Sequence, residues 1–101
     1  MIRVIVERHL KEGKREDLIP LLIELRMAAL RQPGYISGET LTKAEDPSTI
    51  TVLSTWRSLK EWQAWEKTEA RKKIYQKIEP LLRDKPKVSI YQIMAAEEKT
   101  G

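Results

Sequence analysis

Apolar and polar residues alternate along the first part of the chain and then change to a helical period. Residues 2–10 place three aliphatic side chains on one face of a strand, and Ile5 lies among polar residues on the other, so both faces are expected to be covered. Residues 14–31 carry leucine and alanine at spacings of three and four, which predicts a helix. The Pro33-Gly34 pair ends this helix.

Two further alternating stretches predict an antiparallel hairpin. Residues 35–44 and 49–57 read as strands, and the turn-forming residues 45–48 join them. Gly38 lies inside the first of these strands, where a glycine indicates a bulge or the close approach of another backbone or a ligand.

A capping box opens the second helical region. Ser58 is followed three residues later by Glu61, a pattern in which the serine oxygen caps the helix and the glutamate reaches back. Thr68 is expected to kink or restart the helix, which ends near Pro80. Residues 87–94 then form a last strand with large side chains on both faces.

The predicted order is β-α-β-β-α-β, the ferredoxin-like arrangement of an α+β protein, with a four-stranded antiparallel sheet and helices on one face. We expect a single domain over residues 1–95 and a polar tail over 96–101. The face without helices is partly apolar, since it carries Ile5, Leu53, Tyr91 and Ile93. Two such faces packed together would bury this surface, so the sequence predicts a homodimer that forms an α/β barrel.

Composition excludes several kinds of site. The chain has no cysteine, so it has no disulfide, thiol nucleophile or cysteine-ligated metal. His9 is the only histidine, which rules out a two-histidine metal site within one subunit. We therefore predict no metal site.

Charge and hydropathy give no indication of a nucleic-acid or membrane partner. The net charge is +4, but basic and acidic residues are mixed along the chain instead of forming a basic stripe. No apolar run approaches the roughly 18 residues of a membrane span. The first residues are too charged for a signal peptide, and we expect a cytoplasmic protein.

Three short motifs resemble those of one family of small proteins. They are Glu12-Gly13-Lys14 after the first strand, Pro33-Gly34-Tyr35-Ile36-Ser37-Gly38 after the first helix, and Trp56-Arg57-Ser58 leading into a helix with Trp65. Over most of its length the chain resembles the antibiotic biosynthesis monooxygenase (ABM) family of dimeric α/β-barrel proteins. Its members include quinone-forming monooxygenases without metal or organic cofactor, haem-degrading monooxygenases, and many proteins with no known activity.

The resemblance to the haem-degrading members fails at their functional positions. Those proteins use an asparagine on the first strand, a tryptophan in the second-half helix and an axial histidine further along that helix. Trp65 matches the tryptophan, but the histidine position falls at Tyr75, and the asparagine position falls at Val6 or Glu7 in a chain without asparagine. Although a tyrosinate is a known type of haem ligand, haem degradation is disfavoured.

The resemblance to the cofactor-free members implies oxidation of a small phenol or quinol by O2, with no cofactor. Such chemistry needs a proton acceptor, groups that stabilise an anion, and apolar walls. The candidate catalytic residues are Trp65, Tyr75, His9 and Glu7, and the candidate substrate-binding residues are Trp62, Tyr35 and Gly38.

Each candidate also has a structural interpretation. Trp62 and Trp65 lie on the apolar face of a helix and suit core packing. His9 lies near a strand end and suits a solvent-facing position, and Glu7 suits a salt bridge between subunits. A non-catalytic or small-molecule-binding dimer on the same scaffold is therefore the alternative function. An open cavity beside Trp65 would favour the enzyme, and a cavity filled by tryptophan and leucine side chains would favour the alternative.

Overall fold

The sheet has four antiparallel strands, as the alternating stretches predict. A computed structural model describes residues 1–99. The strands are β1 (Ile2–His9), β2 (Tyr35–Lys43), β3 (Asp46–Trp56) and β4 (Lys87–Gln92), and they pair in the order β2-β3-β1-β4. The helices are α1 (Arg15–Ala29), α2 (Leu59–Glu66) and α3 (Glu69–Ile78), and a short 3-10 turn (Glu79–Leu81) follows α3. This order is the predicted ferredoxin-like fold.

The hairpin turn between β2 and β3 is tighter than predicted. Only Ala44 and Glu45 form the turn, and β3 begins at Asp46. The Asp46 carboxylate accepts hydrogen bonds from the Ser48 backbone N–H at 3.1 Å and from the Thr49 hydroxyl at 2.7 Å. These and the bond from the Ser48 hydroxyl lower the pKa of Asp46 to about 2. The Asp46 side chain thus accepts the hydrogen bonds of nearby N–H and hydroxyl groups at the start of β3. Turn-forming residue types alone predict a loop at this position.

Two capped helices, α2 and α3, follow β3 in the chain and pack on the sheet. The Glu61 backbone N–H donates to Ser58 Oγ at 3.3 Å, which confirms the predicted cap at the start of α2. The Arg71 backbone N–H donates to Thr68 Oγ1, also at 3.3 Å, so Thr68 begins a separate helix. The break between α2 and α3 lets each helix direct its own apolar face toward the sheet.

The core lies between the helices and one face of the sheet, in two clusters of buried side chains. The first cluster contains Ile2, Val4, Val6, Ala29, Trp56, Trp62 and Trp65. The second contains Leu10, Leu18, Leu22, Ile50, Ile74, Ile78 and Leu82. Leu25 and Ala28 of α1 pack against both clusters. The two clusters therefore meet beneath the C-terminal part of α1.

The other face of the sheet points away from the helices. The strand register places Ile5 directly beside Leu53 and Arg3 beside Tyr91. Ile5 and Leu53 are half-buried, and Tyr91 is exposed. The prediction of a partly apolar open face is confirmed for Ile5, Leu53 and Tyr91, but Ile93 lies beyond the end of β4, which stops at Gln92 and not at the predicted Met94.

Two other predictions concern the end of the chain and a membrane partner. The predicted tail, 96–101, has no regular secondary structure as far as Lys99, and its last two residues lie outside the described part of the chain. Within the described part, the helices are too short or too polar to cross a bilayer.

Candidate functional site

A cavity opens between the sheet and the helices, at the boundary of the two core clusters. Its enclosed volume is about 60 Å³, and the space between atoms reaches about 560 Å³ only when the open solvent at its mouth is included. Small-molecule sites are typically roughly 300–1,000 Å³, so this is a narrow pocket that is continuous with solvent. The apolar wall is formed by Val6, Leu22, Leu25, Ala29, Val52, Trp56, Trp62 and Trp65.

The aromatic side of the cavity is built around Trp56, which is 1% exposed. Trp65 stacks on it with ring centroids 6.4 Å apart, and Trp62 meets it edge-on at 5.7 Å. Tyr35 meets it edge-on from the other side at 5.3 Å. The Trp56 indole N–H donates to Ser54 Oγ at 3.1 Å. These contacts fix the ring orientations and make this wall rigid and apolar.

Arg8 supplies a positive charge inside this apolar cavity. Its residue is only 2% exposed, and its Nη2 donates to Tyr75 Oη at 2.7 Å. Its Nε and Nη1 are buried with no acceptor among residues 1–99. Burial lowers the pKa of the guanidinium, and the hydrogen bond from Arg8 to Tyr75 opposes this shift. An arginine keeps its charge in proteins, so the cavity contains a cation with unused hydrogen-bond donors.

A second guanidinium lies beside the first. Arg71 covers the Tyr75 ring at 4.2 Å and the Trp62 ring at 5.6 Å, both measured to the ring centroid. Its charge also lowers the pKa of Arg8, although less than burial does. Within the described residues, neither arginine forms an ion pair with a carboxylate. The polar side of the cavity therefore attracts an anion.

The rim of the cavity is formed by α1 and β2. Arg26 Nη2 donates to Thr40 Oγ1 at 2.6 Å, and both residues are exposed. Further in, the Tyr35 hydroxyl lies against Gly38, where any Cβ would overlap it. Burial raises the pKa of Tyr35, so its hydroxyl stays neutral at physiological pH. Gly38 thus makes room for the Tyr35 side chain of its own strand, whereas the sequence predicted a bulge or the approach of another backbone or a ligand.

Five of the predicted site residues line the cavity, and two do not. Those in its wall are Trp65, Tyr75, Trp62, Tyr35 and Gly38.

Glu7 and His9 lie on the open face of the sheet, because odd-numbered residues of β1 point away from the helices. His9 Nδ1 is 3.0 Å from Asp84 Oδ1, and His9 Nε2 is 3.2 Å from Glu7 Oε2. The structure does not bring the two predicted proton acceptors to the cavity.

Sequence reasoning missed the two arginines. The signal for Arg8 was present, because it follows Val4 and Val6 in the alternation that points toward the helices. Arg71 had no such signal, since it was seen only as part of a short basic run. Its position over two aromatic rings depends on the packing of α3 against α2.

The groups around the cavity favour anions and aromatic rings over cations. They are three guanidinium groups together with phenol, hydroxyl and indole groups, and Glu39 is the carboxylate in the lining. Across residues 1–99, no group of three or more histidine, aspartate or glutamate side chains is arranged to hold a metal ion.

Comparison with known proteins identifies the same fold. The family model described as antibiotic biosynthesis monooxygenase matches residues 1–77. Protein SchA of Streptomyces halstedii is 24% identical over 102 residues, which is 99% of this chain and 27% of that protein. The chain thus spans about a quarter of the length of this curated relative.

Solved structures agree in fold at low sequence identity. A conserved protein from Methanosarcina mazei is 22% identical with a TM-score of 0.85, and the match covers 90% of each chain. SnoaB of Streptomyces nogalater, a cofactor-independent oxygenase, is 10% identical with a TM-score of 0.84, over 97% of this chain and 98% of that chain. At these identities the likeness shows the shared fold.

Proposed function

This chain belongs to the antibiotic biosynthesis monooxygenase family, and from that premise we propose that it is a cofactor-independent monooxygenase that oxidises a small phenol or quinol with O2. The family and the likeness to SnoaB support an oxygenase without a cofactor. The observation that carries the proposal is the buried Arg8 guanidinium, which has free donors and no carboxylate partner inside a tryptophan-lined cavity.

Arg8 explains how a phenol would be activated. A buried cation stabilises the phenolate relative to the neutral phenol, which lowers the phenol's pKa in the site. The Tyr75 hydroxyl accepts a hydrogen bond from Arg8, so its own proton is free to donate to the substrate oxygen. With Glu7 and His9 on the other face of the sheet, the substrate's proton passes to the Glu39 carboxylate in the cavity lining or to water at the mouth.

After activation of the phenol, the second requirement of the proposed reaction is a dry site with planar walls, which the tryptophans provide. Trp62 and Trp65 are each 3% exposed and border the cavity beside Tyr75. A planar aromatic ring packs well between such side chains. Exclusion of water also strengthens the interaction between Arg8 and the phenolate, because the local dielectric is low.

The proposed reaction balances without an external reductant. The phenolate donates electrons to O2, a C–O bond forms at the ring carbon para to the phenolate oxygen, and that carbon loses its hydrogen. The O–O bond breaks, one oxygen atom remains as the new quinone carbonyl, and the other leaves as water. Phenol and O2 thus give quinone and water, with all the electrons supplied by the substrate.

Oxygen uptake tests this proposal, with phenols and 1-naphthols that carry hydrogen at the para carbon as substrates. We expect the wild-type protein to consume O2 and form the quinone, with one oxygen atom from isotopically labelled O2 in each product molecule. Tyr75→Phe removes the hydroxyl that contacts Arg8. It is expected to lower kcat/KM by about tenfold, the effect of losing one hydrogen bond to a charged group.

The matched control is Tyr91→Phe, which removes a hydroxyl from the exposed side chain on the open face. It should leave turnover unchanged. If Tyr75→Phe is as active as the wild type, the site assignment is wrong. If naphthols bind but no O2 is consumed, the small-molecule-binding alternative is favoured instead.

We further propose that the protein is a homodimer joined through the open faces of two sheets. Ile5 and Leu53 lie side by side on the two central strands, and Tyr91 adds an exposed aromatic ring at the edge. Helices cover only the opposite face, so a second copy is an economical way to bury these side chains. A twofold dimer is also the commonest oligomer.

A charge at the centre of this face should dissociate the dimer. Leu53→Lys would place a buried lysine opposite its symmetry mate or beside Ile5, which is unfavourable for a desolvated charge. We expect light scattering after gel filtration to give the dimer mass for the wild type and the monomer mass for the variant. The control Ile23→Lys, on the exposed side of α1, should remain dimeric. A dimeric Leu53→Lys variant would place the interface elsewhere.

A further inference from the structure

Every buried side-chain polar atom without a partner in residues 1–99 belongs to a residue that lines the cavity. These atoms are Nε and Nη1 of Arg8 and Nε1 of Trp62. All of them are hydrogen-bond donors, and none is an acceptor. Buried donors are rarely left unpaired in native proteins, because each costs free energy until an acceptor is supplied. The wall is therefore complementary to a ligand that offers acceptor oxygens.

The unpaired donors lie on two separate side chains joined by a continuous series of contacts. Arg8 donates to Tyr75 Oη, Arg71 covers the Tyr75 ring at 4.2 Å, and Arg71 also covers the Trp62 ring at 5.6 Å. The two groups of donors lie on different elements, Arg8 on β1 and Trp62 on α2. A ligand with two acceptor oxygens can therefore pair with both groups.

We propose that the Trp62 indole N–H binds a second oxygen of the substrate, so that the preferred substrates are phenols with an additional acceptor oxygen on the same ring system. This inference rests on the proposed function, because it takes the cavity as the substrate site and Arg8 as the group that holds the phenolate. Trp62 then has two roles, as an apolar wall through its ring and as a specificity-determining residue through Nε1.

Trp56 and Trp62 differ in a way that supports this assignment. Both are buried in the same aromatic cluster. The Trp56 indole N–H already donates to Ser54, whereas the Trp62 indole N–H has no acceptor within the described chain. A buried indole N–H usually has a hydrogen-bond partner, so the unpaired N–H of Trp62 is a feature that packing of the ring does not require.

A matched pair of ligands isolates this hydrogen bond. Isomeric hydroxytetralones carry a phenol and a ring carbonyl, and the corresponding tetrahydronaphthols differ from them only in lacking the carbonyl. Dissociation constants would be measured by calorimetry without O2, on the wild-type protein and on Trp62→Phe. We expect the wild type to bind at least one hydroxytetralone about tenfold more tightly than its matched tetrahydronaphthol, the value of one buried hydrogen bond.

Trp62→Phe should remove this preference. Its affinity for the favoured hydroxytetralone is expected to fall about tenfold, while its affinity for the tetrahydronaphthol stays within about twofold because the ring contact is kept. A preference that persists in the variant, an equal loss for both ligands, or no binding of either ligand to the wild type would overturn the inference. Because binding is measured without turnover, a preference that depends on Trp62 in a protein that consumes no O2 would reject the oxygenase and leave this inference standing.

Discussion

Arg8→Met is expected to lower kcat/KM for a phenolic substrate by at least about a hundredfold without unfolding the protein. The loss follows from removing the buried cation that donates a hydrogen bond to Tyr75. Preorganised groups that stabilise a developing oxyanion are typically worth roughly 100- to 1,000-fold in rate. Methionine has a similar length and no charge to desolvate, so the free energy of unfolding should be unchanged or higher.

The pH dependence gives this prediction a second readout. The guanidinium favours the phenolate and therefore lowers the phenol's pKa in the wild-type site. In Arg8→Met, that pKa returns toward the value of about 10 for a free phenol. The variant's activity should consequently be low at neutral pH and rise as the pH approaches that value. A role in packing alone would not shift the pH profile.

Two further variants separate charge from side-chain volume. Arg8→Lys keeps a positive charge but not the planar set of donors, and its activity is expected to lie between those of the wild type and Arg8→Met. Arg31→Met makes the same change at an exposed position and should have no effect on turnover. Wild-type kcat/KM in Arg8→Met would show that the phenolate is not held by this residue.

Local patterns predicted the elements because they report local forces. The alternation in β1 and the cap at Ser58 each depend on residues within a few positions, and both are present in the structure. The predicted position of the hairpin turn was wrong, because residue preferences for turns do not include the hydrogen bonds of one particular side chain. The Asp46 carboxylate accepts bonds from Ser48 and Thr49 and so allows pairing to continue through a stretch with turn composition.

Local patterns identified only part of the candidate site. The aromatic residues were found because Trp62 and Trp65 mark the apolar face of one helix. The sequence did not single out Arg8, because a charged side chain in a strand is usually exposed even where it continues the buried face of the alternation. Its partner Tyr75 lies 67 residues away in the chain. Only the packing of α3 over the end of β1 brings the two together.

Trp56→Ala is expected to be the most destabilising single change in the chain, lowering the free energy of unfolding by about 3–5 kcal/mol. Trp56 contacts three other aromatic rings and is almost completely buried at the end of β3. Its removal leaves a large space next to the ligand cavity and frees the rings of Trp62 and Trp65. Native domains are stable by only about 5–15 kcal/mol, so this loss is a large part of the total.

Urea unfolding at one fixed protein concentration measures this effect, since dimerisation would make the midpoint depend on concentration. Trp56→Phe keeps a ring in the cluster and loses the hydrogen bond to Ser54, so its cost should be clearly smaller than that of alanine. Ile23→Ala, on the exposed side of α1, should change the free energy of unfolding by less than about 0.5 kcal/mol. If Trp56→Ala costs no more than Ile23→Ala, the aromatic cluster contributes little to stability, and the rigid wall assigned to the cavity would have to be abandoned.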